Sequence, residues 1–302
     1  MVRGRFAPSP TGRMHLGNVW AALLSWLSVR SQGGSWLLRI EDNDPQRSRQ
    51  AWADLLMQDL EWLGLTWDEG PFYQSARSAF YEAYLERLVG QGLVYPCYCT
   101  RADILATQAP HESDGRVVYK GTCRPKDSFA TLDALPSDAA LRMRVPTGAQ
   151  SLIGFEDGHY GCQTVNLEQA CGDFIVRRKD GAWAYQLAVV VDDALMGVNE
   201  VVRGRDLLLS SPQQIYLART LGFVAPRFSH VPLLLNEAGQ RLSKRDRSTH
   251  MEALRRQYTA NEILGRLAFW AGLTDRVQAL SAEELIPLFD WNKIPREDIS
   301  VG

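Results

Sequence analysis

The chain lacks any apolar run that reaches the ~18 residues a membrane-spanning helix needs, and its N-terminus lacks the basic-then-apolar pattern of a secretory signal. No charge sign dominates. Thirty-three Lys and Arg face 35 Asp and Glu, a net charge of −2, which excludes a uniformly basic nucleic-acid surface. Any bound RNA has to meet local patches. Cysteine is scarce and odd in number, five in all, which disfavours a disulfide framework. A cytoplasmic protein without membrane association is expected. What remains is ordinary for a globular chain: 302 residues, 45% hydrophobic and 23% charged, enough for roughly two domains.

The most organised stretch comes early. Arg5-Phe6-Ala7 suits a short buried strand, Pro8 and Pro10 forbid helix just before them, and Gly12 suits a turn. From Val19 the apolar residues recur at helical spacing. His15 and Gly17 then sit where a helix N-terminus would offer free N–H groups and a positive dipole end to an anion. Alone, the stretch is equally well read as a plain βα turn with an incidental histidine.

Residues 35–42 read as a second buried strand ending in acids. Ligands of open parallel sheets bind off the carboxyl ends of strands, so Glu41 is placed to meet whatever His15 meets. At least one of Asp42 and Asp44 is expected to cap the helix read over 46–63. A helix at 78–90 completes one βαβα half of a doubly wound sheet.

The texture then changes. Cys97-x-Cys99 and, after a polar loop, Tyr119-x-x-x-Cys123 offer three thiolates and a phenol. A closed tetrahedral zinc site needs four donors, and spacing leaves the fourth open between Tyr119 and His111. Cys162 and Cys171 read as small buried hydrophobes. Strand-like pieces through residue 178 make 95–180 an inserted module.

Parallel-sheet texture returns at 183–193, read as a helix turn running into a strand that ends in Asp192 and Asp193. A strand at 198–202 puts Arg203 at its carboxyl end. A helix at 211–221 and a strand at 228–235 precede Arg241-Leu242-Ser243-Lys244-Arg245, and short helices fill the tail. The expected organisation is 1–94 and 181–250 as halves of a Rossmann-like α/β nucleotide-binding domain, 95–180 between them, and 251–302 as a helical C-terminal segment. Three basic clusters stand out: Arg177-Arg178-Lys179, the run from Arg241 to Arg247, and Arg255-Arg256. Taken singly, each suits a solvated face.

His15-Leu16-Gly17-Asn18 and Arg241-Leu242-Ser243-Lys244-Arg245, about 225 residues apart, resemble the two signatures of class I aminoacyl-tRNA synthetases, with Asn18 where a second histidine is usual. The run from Arg5 to Gly12, Arg39-Ile40-Glu41-Asp42, Tyr185 to Asp193 and Val202-Arg203-Gly204 look like the glutamyl branch. A glutamyl-tRNA synthetase continues into an anticodon-binding domain. This chain stops at Gly302, so a catalytic core with no such domain is expected. The Cys97, Cys99, Tyr119 and Cys123 set resembles that of the glutamyl-Q tRNA(Asp) synthetase family, where these positions hold zinc. The resemblance thus selects Tyr119 over His111.

The resemblance implies an adenylate-forming ligase. Its substrates would be glutamate, ATP (with Mg2+) and a tRNA(Asp) whose anticodon loop carries queuosine. It would bind one structural Zn2+; a monomer is expected. His15 and Lys244 would serve catalysis by stabilising charge on the phosphates. Gly17 and Asn18 would join them around ATP. Glutamate has two carboxylates and an ammonium, so its pocket needs cations and an acid. Arg5 and Arg203 supply planar forks, Glu41 the counter-charge, Ser9 and Tyr185 hydroxyls, and Ala7 lies beside them. A shortened synthetase charging a tRNA 3′ end, or a non-catalytic zinc-bearing RNA-binding paralogue, are the alternatives.

Overall fold

The structure is a computed structural model that describes residues 1–100, 102–103, 118–242 and 249–301. In chain order, strand Arg3–Phe6 (β1) leads into helix Leu16–Arg30 (α1). Strand Ser35–Ile40 (β2), helix Gln50–Trp62 (α2), strand Glu69–Tyr73 (β3) and helix Ser78–Gly90 (α3) follow. Next come four strands: Val94–Cys97 (β4), Ala140–Met143 (β5), Leu152–Asp157 (β6) and Gly161–Asn166 (β7). Phe174–Arg177 (β8) precedes helix Tyr185–Leu195 (α4), strand Glu200–Gly204 (β9) and helix Ser211–Thr220 (α5). Strands Arg227–Val231 (β10) and Leu234–Leu235 (β11), helices Met251–Gln257 (α6) and Ala260–Trp270 (α7), and strand Ile299–Ser300 (β12) close the chain.

Among the described residues the main sheet has the order β3-β2-β1-β9-β10-β6-β7. Every pairing from β3 to β6 is parallel, and only β6–β7 is antiparallel. Strands β1 and β9 touch through Gly4 opposite Glu200. Here the strand order reverses, so a crevice opens beyond the carboxyl ends of β1 and β9.

Helices cover both faces, which is why the strands carry apolar side chains on each side. One core packs α1 and α2 with α7, through Val19, Leu23, Leu27, Leu56, Leu60, Leu264 and Leu267. The other packs α3, α4 and α5, through Tyr81, Leu85, Leu88, Leu187, Val191, Ile215 and Leu217. The buried indoles keep their N–H groups satisfied, as burial requires. Trp20 donates to the Pro232 carbonyl at 2.8 Å and Trp36 to the Ser25 hydroxyl at 3.0 Å.

Three local expectations change. Residues 185–195 are helix throughout, not a turn followed by a strand. Seven of its positions are buried, and an apolar run with no polar face carries no period to separate helix from strand. The β6–β7 hairpin, within the span read as an inserted module, joins the edge of the main sheet through Phe228 opposite Asp157. Asp42 and Asp44 do not cap α2, whose N-cap is Arg49. Asp42 instead accepts the Ser75 N–H and hydroxyl at 2.8 and 2.6 Å, and Asp44 pairs with Arg178 at 3.1 Å. A separate antiparallel sheet, β4-β5-β8, carries the cysteine cluster. No helix among the described residues is long and apolar enough to cross a membrane.

Candidate active site

The mouth of the β1–α1 turn is built around His15. It is the N-cap of α1, and its Nδ1 accepts the Gly17 N–H at 3.1 Å. Asn18 answers, its Oδ1 accepting the His15 N–H at 3.0 Å. This is a capping box, and it gives Asn18 a structural duty that a sequence motif does not reveal. With Nδ1 accepting, the neutral imidazole carries its proton on Nε2. A Cβ at Gly17 would lie 3.0 Å from the His15 ring and press on it. His250 forms a β-bridge with His15, and the Met251 N–H bonds the Met14 carbonyl at 3.0 Å, so the tail is stitched to this turn.

A cavity of about 440 Å³ opens here. Ala7, Ser9, His15, Gly17, Asn18, Glu41, Tyr185 and Arg203 all line it, so eight of the sequence-derived residues share one space. Two do not line it. Arg5 is buried beneath, its Nε 3.4 Å from Asp193. Lys244 lies outside the described residues. Leu242, two positions earlier, lines the cavity. Arg241 and Asp206 also line it and pair with each other at 2.5 Å.

The floor is a buried ionic network. Arg39 reaches Asp193 at 2.6 Å, Glu41 at 3.2 Å and Asp192 at 3.7 Å. Burial pushes the Glu41 carboxyl above its usual range against the pull of Arg39 and Arg5. Burial works the same way on Asp193, but Arg39 and Arg5 outweigh it and hold that carboxyl below its usual range. Arg39 and Arg5 are thus committed to acids of the protein.

Arg203 is not. It is 5% exposed, and among the described residues it has no carboxylate partner. Neutral acceptors surround it instead. Its Nε donates to His230 at 3.1 Å, Nη1 to Gln214 at 2.9 Å and to the Tyr185 hydroxyl at 3.5 Å, and Nη2 to Ser211 at 2.8 Å. Burial lowers the affinity of this guanidinium for its proton, yet arginine starts high enough to stay charged. Asp193 attracts it without touching it; a buried cation with no direct ion pair is costly, and an anionic ligand entering beside Tyr185 relieves that cost.

His230 and Asp157 are the residues that sequence reasoning missed. His230 Nδ1 lies 2.5 Å from Asp157 Oδ2, both side chains fully buried. Since Arg203 donates to Nε2, the ring is neutral with its proton on Nδ1, toward Asp157. Burial depresses the imidazole against the opposing pull of Asp157. The only sequence signal was a histidine inside an apolar strand. Its partners lie 27 and 73 residues away, beyond any local pattern.

A second cluster lies in the small sheet. The Sγ atoms of Cys97, Cys99 and Cys123 all fall within 4.8 Å of one another. Cys99 and Cys123 are 3.4 Å apart, too far for the ~2.05 Å of a disulfide. The Tyr119 hydroxyl lies 3.5 Å from Cys97 Sγ and accepts the Cys123 N–H at 2.6 Å. Tetrahedral zinc with bonds of about 2.3 Å to sulfur and 2.0 Å to oxygen puts its ligands about 3.5–3.8 Å apart, close to the 3.4 Å of Cys99–Cys123 and the 3.5 Å of Cys97–Tyr119, so this donor set suits that ion. Burial and the neighbouring sulfurs push the Cys99 thiol up to about 11. Burial opposes, but hydrogen bonds from Tyr119 and the Tyr98 backbone bring Cys123 down to about 7. His111, the competing ligand, lies outside the described residues. Asp173 holds the cluster's frame. It accepts from Tyr95, from Arg124 through Nε at 2.7 Å, and from the Val145 N–H at 2.8 Å.

Comparison with known proteins places the chain in a family. Residues 1–297 match the model for the catalytic domain of class I tRNA synthetases (E and Q). The glutamyl-Q tRNA(Asp) synthetase of Nitratidesulfovibrio vulgaris is 44% identical, over 98% of this chain and 94% of its own length. That of Symbiobacterium thermophilum is 46% identical, over 100% and 96%. Among solved structures, a glutamate tRNA ligase from Elizabethkingia meningosepticum in complex with its amino acid superposes with a TM-score of 0.82 at 28% identity. That match covers 100% of this chain and 67% of the other. The chain is a ligase of the class I tRNA synthetase (E and Q) family and belongs, within it, with the glutamyl-Q tRNA(Asp) synthetases.

Proposed function

We propose that this enzyme activates glutamate with ATP and transfers it to the cyclopentene cis-diol of queuosine in the anticodon loop of tRNA(Asp). The observation that carries the glutamate half is Arg203, a buried cation with no carboxylate partner among the described residues, facing Tyr185 in a cavity that also holds Glu41. Arg203 takes the side-chain carboxylate, Glu41 the ammonium, and Ser9 and Ala7 the backbone end, with Arg5 holding the floor. The name borne by the curated relatives supports the queuosine half.

In the first step a glutamate α-carboxylate oxygen attacks the α-phosphorus. The bond to pyrophosphate breaks, its electron pair leaves with pyrophosphate, and no proton need move. Catalysis is positioning and stabilisation of phosphoryl charge. The His15 Nε2–H, the N–H groups around Gly17 and Asn18, and Lys244 suit that task. In the second step a hydroxyl oxygen attacks the carbonyl carbon, and AMP leaves with the electron pair of its bond. The hydroxyl proton goes to the departing phosphate.

Cys97, Cys99, Tyr119 and Cys123 would hold one Zn2+, which would supply cross-linking of the small sheet and no chemistry of the reaction. With four protein donors there is no open position.

The test has two stages. Glutamate-dependent ATP–pyrophosphate exchange without RNA is expected first. Labelled glutamate is then expected on tRNA(Asp) bearing queuosine and not on tRNA(Asp) with guanosine there. Label on the 3′ end of tRNA(Glu) refutes the queuosine reading.

A further inference from the structure

We infer that a second cavity, of about 310 Å³, receives the acceptor nucleoside, with the basic run at the end of β8 holding its phosphates. The inference rests on the two-step reading above. It starts from the walls of the two cavities. Ser9, Glu41 and Tyr185 line both. Glutamate held at those residues therefore has one cavity on each side. The larger contains His15, Gly17 and Asn18 and suits the nucleotide. The transfer step needs a hydroxyl to approach the activated carbonyl from a side the nucleotide does not fill, and the second cavity offers that side.

Its lining suits a nucleoside. Trp183 contributes a large aromatic surface, and such rings hold unstacked bases by stacking. Asn43 and Gln74 contribute amides. Asn43 Nδ2 donates to Gln74 Oε1 at 2.8 Å, and Gln74 Nε2 donates to Asp192 at 2.9 Å. This chain orients Asn43 Oδ1 as an acceptor for a diol hydroxyl. The Asp44–Arg178 ion pair, at 3.1 Å, joins the loop after β2 to the turn after β8 and forms the outer wall.

The rim explains a sequence feature the activation step leaves unused. Arg177 ends β8, and Arg178 and Lys179 enter the turn after it, closed by the Arg178 N–H bonding the Ala182 carbonyl at 2.9 Å. Arg178 is committed to Asp44 and Asp180. Arg177 and Lys179 have no acid partner among the described residues. Arg177 lies 5.4 Å over the Trp183 ring, and Lys179 is exposed. An aromatic wall beside unpaired cations is the combination that binds single-stranded RNA: the ring meets a base and the cations meet the backbone. An anticodon loop presents both.

The experiment compares wild type with Arg177→Ala/Lys179→Ala and with Trp183→Ala, measuring ATP–pyrophosphate exchange and glutamate transfer to tRNA on the same preparations. The ratio of transfer to exchange is expected to fall at least tenfold in each. The double variant should also lose about 1.4 from the slope of log affinity for RNA against log salt, about 0.7 per removed charge. Trp183 packs on Tyr81, so the double surface variant keeps the test valid should Trp183→Ala misfold. A double variant whose ratio stays within twofold of wild type overturns the pocket. Failure of the queuosine reading looks different. Wild type then labels the 3′ end of tRNA(Glu), while the selective transfer loss in the double variant persists.

Discussion

His230→Ala tests how the glutamate site is held together. The ring gives Arg203 its Nε acceptor at 3.1 Å, in a region closed to water. Removing it strands a charged donor, and hydrogen bonds to charged groups are worth about 1.5–3 kcal/mol. With Arg203 free to swing toward Asp193 or Glu41, KM for glutamate should rise about 10- to 150-fold by the same range, with a smaller change in kcat. Asp157 keeps the backbone N–H groups of His159, Tyr160 and His230, at 3.0, 2.9 and 3.2 Å, so the fold should survive. His230→Gln, whose Oε1 can accept in place of Nε2, should recover most of the affinity. The pH profile adds a readout that packing alone would not move. Burial depresses the folded-state imidazole below its unfolded value near 6.5. Its contribution to stability is therefore full above about pH 6.5 and is lost as pH falls through the folded value. Protonation also turns Nε2 into a donor facing the Arg203 guanidinium, with the Ser211 hydroxyl at 3.3 Å beside it and Asp157 on the far side of the ring at Nδ1. The acid limb of glutamate affinity should thus flatten in His230→Gln. An Ala variant with wild-type KM, or a Gln variant no better than Ala, refutes the argument. Exchange kinetics against glutamate concentration decide it.

Three further predictions are direct. Metal analysis should find one zinc per chain, lost in Cys97→Ser/Cys99→Ser, and none in purified wild type would dispose of the site. Gly172→Ala should lower bound zinc and the melting temperature, because Gly172 has φ +61° and a Cβ there would lie 1.9 Å from the Tyr119 carbonyl. Gly148→Ala, with φ +60° and open space around it, is the control and should cost only about 1 kcal/mol of backbone strain. Asn18→Ala should destabilise the protein by about 1 kcal/mol through the lost cap, read by denaturant unfolding.

Much of the site was legible in the chain, because several of its parts are local. A strand, a turn and a helix start must run in sequence to present His15 and Gly17. Cys97-x-Cys99 and Tyr119-x-x-x-Cys123 each lie within one turn of chain. Strand ends place Glu41 and Arg203 toward one crevice once the sheet is parallel. Helix 185–195 was misread because uniform burial erases periodicity. Asp42 and Asp44 were misassigned because a carboxylate beside a helix has local and distant partners that look alike in sequence.

What the sequence determined by itself, then, is the α/β class, the crevice off the strand ends, and the residue types that glutamate, nucleotide and zinc would need. Only the tertiary structure decided which charges are already spent. Arg5 and Arg39 face Asp193, while Arg203 rests on the neutral ring of His230, which the Asp157 carboxylate holds in place. Only there did a second cavity meet the first at Ser9, Glu41 and Tyr185. The physical reason is that local preferences act over a few residues. Charge compensation and cavity walls arise from side chains tens to hundreds of positions apart, and these meet only when the sheet closes.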